Sequence, residues 1–246
     1  MHATHLRLRS SRLILAALVS LAGLAAFTAT PAGAQVGPSA AEAAAYTGLH
    51  AAAWRGDVAK ITRLSTNRAL LDARDAHGRT PLHVAAFARQ SGAIRALAQA
   101  GASLDLLEND RYDAVTIAAV ADDEDTLRTL LSLGASAKQI TSRYDGSALI
   151  AAAHLGHDGV VRQLIAAGAP LDLVSNLHWT AAIEAVVLGD GGLRHQATLK
   201  ALVDAGANLQ LADRQGNTPL MLARARGYAA MVSLLEPGTR PKPTAR

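Results

Sequence analysis

Cysteine is absent from the 246 residues, so no disulfide braces the fold and no thiolate chemistry is available. The lipid-modified cysteine of a bacterial lipoprotein is excluded with it. Aromatic residues make up only 3% of the chain, so alanine and leucine carry most of the 50% hydrophobic content. That composition favours helices over strands. Beyond residue 34 no run is long and apolar enough to cross a bilayer. There is no G-x-S-x-G elbow and no H-E-x-x-H pair, and no serine, histidine and acid stand out as a nucleophilic set. The sequence therefore offers no candidate catalytic, cofactor-binding or metal-ligating residues, and the expectation is a protein that is not an enzyme.

Positive charge is also scarcer than it looks. The formal net charge is +4, but Arg7, Arg9 and Arg12 contribute three of the basic residues and stand at the head of an apolar run from Leu13 to Phe27. Ala32-Gly33-Ala34 then supplies small residues at cleavage positions, which reads as a signal peptide over 1–34 with cutting before Gln35. Fifteen apolar residues are short for a membrane anchor, which needs about 20. The mature chain is then near +1 (21 basic, 20 acidic residues), and the part before Glu236, residues 35–235, is about −1 (18 basic, 19 acidic). No basic stripe remains to gather nucleic acid. The signal architecture and twenty arginines against four lysines suggest a bacterial source. The expected location is the periplasm, with secretion as the alternative.

What is present is a period. Leu64, Leu97, Leu130, Leu164, Leu202 and Leu235 lie 33, 33, 34, 38 and 33 residues apart. Alanine keeps the same beat at Ala52, Ala85, Ala118, Ala152, Ala185 and Ala223. Two residue types in one register over six copies describe one supersecondary unit stacked on copies of itself.

The fullest copy runs Gly78-Arg79-Thr80-Pro81-Leu82-His83-Val84-Ala85-Ala86, continues through Ile94 and Leu97, and ends at Gly101-Ala102. Thr80 can cap a helix and Pro81 can occupy its first turn, where a missing N–H costs nothing. Leu82, Ala85 and Ala86 then share one face. A turn at Gln90-Ser91-Gly92 separates a second amphipathic helix, and Gly101 suits a left-handed terminus. The signature recurs in part at Thr47–Ala52 and Thr218–Ala223, and Gly-Ala pairs at 101, 134, 168 and 206 mark unit ends.

These motifs resemble the ankyrin repeat, over roughly residues 46 to 236. The resemblance implies an all-α repeat solenoid of about six helix-turn-helix units, with β-hairpin or loop fingers and a concave binding surface. Ser39-Ala40-Ala41-Glu42 has capping-box spacing and opens a short helix that could cover the first unit, giving a capping segment at 35–45. Glu236-Pro237-Gly238 stops the last helix, and 237–246 reads as a disordered tail.

The middle units depart most from the pattern. Units three to five lack the proline, one extra residue lies between Ala135 and Ser147, and five lie between Ala185 and Leu199. That region is specialised for a partner or locally softer. The Gly189–Gly192 insert reads as a flexible loop away from the fingers, outside the strand-to-helix setting of a phosphate loop.

Five of the seven aromatics after residue 34 fall in two of the thirty-three columns. The first, five residues past the signature leucine position, holds Trp54, Phe87, Val120, His154, Val187 and Ala225; the second, three before it, holds Tyr46, Arg79, Tyr112, Gly146, Trp179 and Asn217. The resemblance places both columns on the concave side. Trp and Tyr are interface anchors, so Tyr46, Trp54, Arg79, Phe87, Tyr112, His154 and Trp179 are the expected partner-binding residues; the alternative is that they cover the core between units. His50 and His83 are read as turn-tying histidines. His154 and His157 form a pair without a third metal ligand. Asp122–Asp125 is read as the capped, acidic start of a helix. The expectation is a monomer that binds an unknown protein partner, with an inhibitor or immunity protein as the alternative and a small hydrolase or metal-dependent enzyme as a third.

Overall fold

The computed structural model describes residues 35–236; the expected signal peptide (1–34) and tail (237–246) lie outside the described residues. Within 35–236 a short helix, α1 (Ala40–Ala45), is followed by six helix pairs. They are α2 (Gly48–Arg55) with α3 (Val58–Leu64), α4 (Pro81–Phe87) with α5 (Ser91–Ala100), and α6 (Ala114–Val120) with α7 (Glu124–Ser132). Then come α8 (Ala148–Leu155) with α9 (Asp158–Ala166), α10 (Ala181–Val187) with α11 (Leu193–Asp204), and α12 (Pro219–Ala225) with α13 (Ala229–Leu235).

Each first helix starts where its sequence says it should. The side chains of Thr80, Asp113, Ser147, Thr180 and Thr218 accept from the N–H of the residue three positions on, satisfying one orphan donor each. Loss of the proline in the middle units leaves the cap intact, so those helices form without it. Ser39 and Glu42 form the expected reciprocal capping box on α1, at 3.2 and 2.8 Å. The turn of the second unit lies one step earlier than the sequence suggests: Gln90 is the N-cap, and Ser91 and Gly92 already belong to α5.

The first helices pack in series from α2 to α12 and the second helices from α3 to α13, so the molecule has two helical layers. The periodic residues lie between them. Ala52, Ala85, Ala118, Ala152, Ala185 and Ala223 are buried, as are Leu97, Leu130, Leu164, Leu202 and Leu235; Leu64, at the open first unit, is half-buried. A methyl at every first-helix contact permits axes near the close end of the 8–10 Å range.

The fingers are loops. Among the described residues there is no strand, and one isolated antiparallel bridge joins Thr141 to Gly146. Each finger folds on one return bond, from Asp75 N–H to the Arg79 carbonyl and equivalently Glu108 to Tyr112, Ser175 to Trp179 and Asp213 to Asn217. That is too short a ladder for a hairpin. Neighbouring fingers are instead tied sideways, Asn109 N–H to His77, Ser142 to Arg111 and Asn176 to Tyr144.

Every finger also contains a left-handed residue two positions before its cap. Gly78 and Gly216 take it in the second and sixth units, but Arg111 (φ 66°), Asp145 (φ 50°) and His178 (φ 62°) take it in the third to fifth. A Cβ makes that conformation costly. The middle fingers are therefore strained where the end fingers are not.

The Gly189–Gly192 insert is pinned rather than flexible. Tyr228 Oη donates to the Gly189 carbonyl at 3.0 Å, and Gln196 Nε2 to that of Gly191 at 2.7 Å. Gly191 (φ 72°) has the Tyr228 ring 2.7 Å from where a Cβ would stand, which leaves no room for another residue. The insert brings Arg194 to Asp122 at 2.9 Å and Asp158 at 3.3 Å, so one guanidinium joins the third, fourth and fifth units.

Candidate protein-binding face

In α4, α6 and α10 every residue but the last is buried, whereas α12, at the end of the stack, buries only Pro219 and Ala223. Pro81–Ala86 of α4, Ala114–Ala119 of α6 and Ala181–Val186 of α10 are all buried, whereas Phe87, Val120 and Val187 are part-exposed. Trp54 and His154 occupy the same position and are likewise part-exposed. One buried column is alanine in all six units, Ala52 through Ala223, whereas this part-exposed column varies from unit to unit. A rigid row of differing side chains is thereby held along the stack.

The second predicted column divides. Tyr112 and Trp179 are part-exposed at the bases of their fingers, and Tyr112 also packs on the core. Burial pushes the Tyr112 phenol up from its ordinary range. Arg79 is only 1% exposed and faces its own chain, so it is not open to a partner as the column suggested. Its Nε meets Asp75 Oδ2 at 2.7 Å and its Nη2 meets Glu42 Oε1 at 2.5 Å. Tyr46 Oη donates to the same Asp75 oxygen at 2.7 Å. A guanidinium leaves water only if its donors are taken up, and here the cap helix and the finger supply both acceptors.

The electrostatics follow. Hydrogen bonds from the Ser39 side chain and backbone, then from Arg79, hold the Glu42 carboxyl down at about 2. Burial acts to raise Asp75, but hydrogen bonds from Tyr46 and Arg79 outweigh it and hold it low. Burial and the bond to Asp75 push Tyr46 up. Phe87 is shared with the cap segment too, since a Cβ on Gly37 would stand 3.1 Å from its Cδ1. Residues 35–45 thus engage Arg79 and Phe87, and Trp54, Tyr112, His154 and Trp179 lie further along.

His50 and His83 tie one unit to the next. His50 Nε2 lies 2.9 Å from the Arg79 carbonyl, and His83 Nε2 lies 3.2 Å from that of Tyr112. His83 Nδ1 also accepts from the Thr80 N–H at 3.1 Å, and burial pulls this imidazole down to about 4. Asp123 caps α7 through the Thr126 N–H at 3.1 Å, and Asp122 faces Arg194, so the acidic run has the structural roles expected of it.

One buried acid escaped the column reading. Glu184 on α10 is 5% exposed, with Oε2 3.3 Å from His154 Nδ1. The comparison that exposes it is along its own column, where the other units carry Ala51, Val84, Ile117, Ala151 and Leu222.

Hollows are shallow: about 270 Å³ between the third and fourth fingers, lined by Asn109, Asp110, Arg111 and Arg143, and about 340 Å³ between α7 and α9. Among the described residues no three His, Asp or Glu side chains are grouped to hold a metal, and no helix is long and apolar enough to cross a membrane.

Comparison with known proteins agrees with this architecture. The chain matches the family described as ankyrin repeats (3 copies) over residues 49–142, 116–213 and 149–245. It is 43% identical over 61 residues to YahD, an ankyrin repeat protein of Escherichia coli (strain K12); the match spans 25% of this chain and 30% of that protein. An ankyrin repeat domain from Acinetobacter baumannii AYE is 42% identical, with TM-score 0.71, covering 76% of this chain and 95% of the other. The structure of the predatory endopeptidase Bd0816 from Bdellovibrio bacteriovorus in complex with immunity protein Bd3460 matches at 25% identity and TM-score 0.64, covering 77% and 97%. With matches extending from residue 49 to 245 and six stacked helix pairs, the chain belongs to the ankyrin-repeat family, a class of non-catalytic protein-binding scaffolds.

Proposed function

We propose that the chain is an exported bacterial adaptor that binds one protein partner across the concave face of its repeats, acting in the periplasm as a monomer. The observation that carries this is the row Trp54, Phe87, Val120, His154 and Val187, part-exposed and variable along the stack beside a buried column that is alanine in every unit. Stacking orders these side chains before a partner arrives, so little conformational entropy is lost on association. The strained fingers of units three to five add weight, because backbone strain concentrates where a surface is used.

Affinity capture from the native periplasm, followed by isothermal titration with the captured protein, tests this. Trp54→Ala and Tyr112→Ala should each weaken binding by about 2 kcal/mol. Unchanged affinity for both variants removes this face from the proposal. N-terminal sequencing of the periplasmic form should begin at Gln35; retention of residues 1–34 in the cytoplasm removes the exported assignment.

A second reading, an inhibitor or immunity protein, is favoured by the likeness to a complex containing an immunity protein and an endopeptidase. Under it the captured partner is a hydrolase whose activity falls as this chain is added. A partner without enzymatic activity leaves the adaptor reading alone.

A further inference from the structure

Glu184 occupies a column that is apolar in the five other units, filled there by Ala51, Val84, Ile117, Ala151 and Leu222. Its side chain is 6% exposed. Oε2 is shielded from solvent and receives no hydrogen bond: His154 Nδ1 stands within ion-pair reach at 3.3 Å without the alignment of a bond. A carboxylate removed from water with an oxygen left unbonded costs stability. Nothing in the architecture of the repeat requires it, since an aliphatic side chain serves every other unit.

The surroundings indicate what would complete it. Val187, the last residue of α10, and Leu188, its C-cap, lie three and four residues on from Glu184, on the same helical face. Val187 is part-exposed and Leu188 is 40% exposed, so the helix end one turn on from the acid offers an apolar rim. One turn of helix, about 5.4 Å, separates rim from acid. A lysine or arginine side chain has this form, with a hydrocarbon stem to lie along the rim and a cationic head at its end.

We propose that Glu184, with His154 beside it and Val187 and Leu188 one turn on, is a receptor for one basic side chain of the protein partner. This rests on the reading of the concave face as the binding surface. The incoming ammonium or guanidinium supplies a donor to the carboxylate, and a charge-assisted bond of this kind is among the stronger polar contacts.

The test titrates the purified full chain with n-butylguanidinium and n-butylammonium, with n-butanol and butyrate as controls, following the His154 imidazole resonances by NMR. Both cations should give a saturable shift and both controls should not. Glu184→Gln should weaken the cation titration by at least about tenfold. Glu184→Leu, which restores the residue type of the column, should abolish it and raise the urea midpoint of the free protein. An equal response to butanol, no saturable response to either cation, or an undiminished titration in Glu184→Gln overturns the proposal. A lowered midpoint in Glu184→Leu overturns it as well, because the carboxylate then serves the fold. A partner that needs Trp54 and Tyr112 but binds Glu184→Gln as tightly as wild type removes the receptor and leaves the binding face standing.

Discussion

Arg194 reaches back 72 residues to Asp122 and closes an ion pair with it at 2.9 Å, while its Nε stands 3.3 Å from Asp158. The five-residue insertion in the fifth unit therefore has a structural consequence: it positions one cation across three units. The side chains are 53% and 33% exposed for Arg194 and Asp122, so solvent screens the pair and its worth is modest. Arg194→Ala should cost about 0.5–1 kcal/mol at low salt. The difference should vanish near 1 M salt, where the screening length is about 3 Å. Urea titrations at the two salt concentrations measure this, and a penalty independent of salt contradicts the electrostatic account.

His83 gives the array a defined acid sensitivity. Its folded value, about 4, lies below its ordinary 6.5, so the unfolded chain takes up the proton first. The stability it contributes is complete above 6.5 and is lost as pH falls toward 4. Glu42, held at about 2, acts below this window. Thermal unfolding of wild type and His83→Gln between these limits should show a steeper decline in wild type; parallel slopes would contradict it.

Asp113 caps α6 with one oxygen, receiving the Thr116 N–H at 2.7 Å, while its other oxygen is buried without a partner. Burial pushes this carboxyl up, so its charge weighs against folding at neutral pH. Asp113→Thr, the residue that caps α4 and α10, should keep the cap and raise the urea midpoint at pH 7 by the equivalent of about 1 kcal/mol. A fall in the midpoint would show that the carboxylate is needed for more than capping.

In the strained fingers, His178→Gly removes the Cβ from a left-handed residue. A gain of about 0.5–1 kcal/mol is expected after the added flexibility of glycine in the unfolded chain is set against the relief. Differential scanning calorimetry reads it, and an unchanged or lower Tm would mean the finger bears no strain.

Ala118 is 1% exposed between the first helices of neighbouring units. Ala118→Leu should overpack that joint and cost about 1–3 kcal/mol, seen as a lower denaturant midpoint. A midpoint equal to wild type would show slack between the helices.

Burial was readable from sequence because it follows a period. Leu97 and Ala85 need only be one unit from their counterparts to be recognised as core, and the Ser39–Glu42 box is a local pattern four residues long. Pairings across units carry no such mark. Arg79 shares a column with Tyr46 and Tyr112, yet its burial depends on Glu42, 37 residues away in the cap helix. The Arg194 contact depends on how an insertion folds, and the glycine-rich insert is held by Tyr228, which packs on Gly191 and donates to the Gly189 carbonyl. Glu184 is legible as one acid in an otherwise apolar column, though it belongs to no motif and to neither aromatic column. The fingers lack strands because each closes on one return bond, a matter of loop length that a resemblance to the family does not specify.

The column of His50 and His83 continues with Thr116, whose Oγ1 donates to Thr141 of the next unit at 3.2 Å, and then with Ile150, Ile183 and Met221, which carry no side-chain donor. Hydrogen bonds are directional and hydrocarbon contact is not. The rear units make their directional ties elsewhere, between His195 and the His154 carbonyl and from Tyr228 to that of Gly189, so the insert takes over there the joining role that the signature histidines have in front.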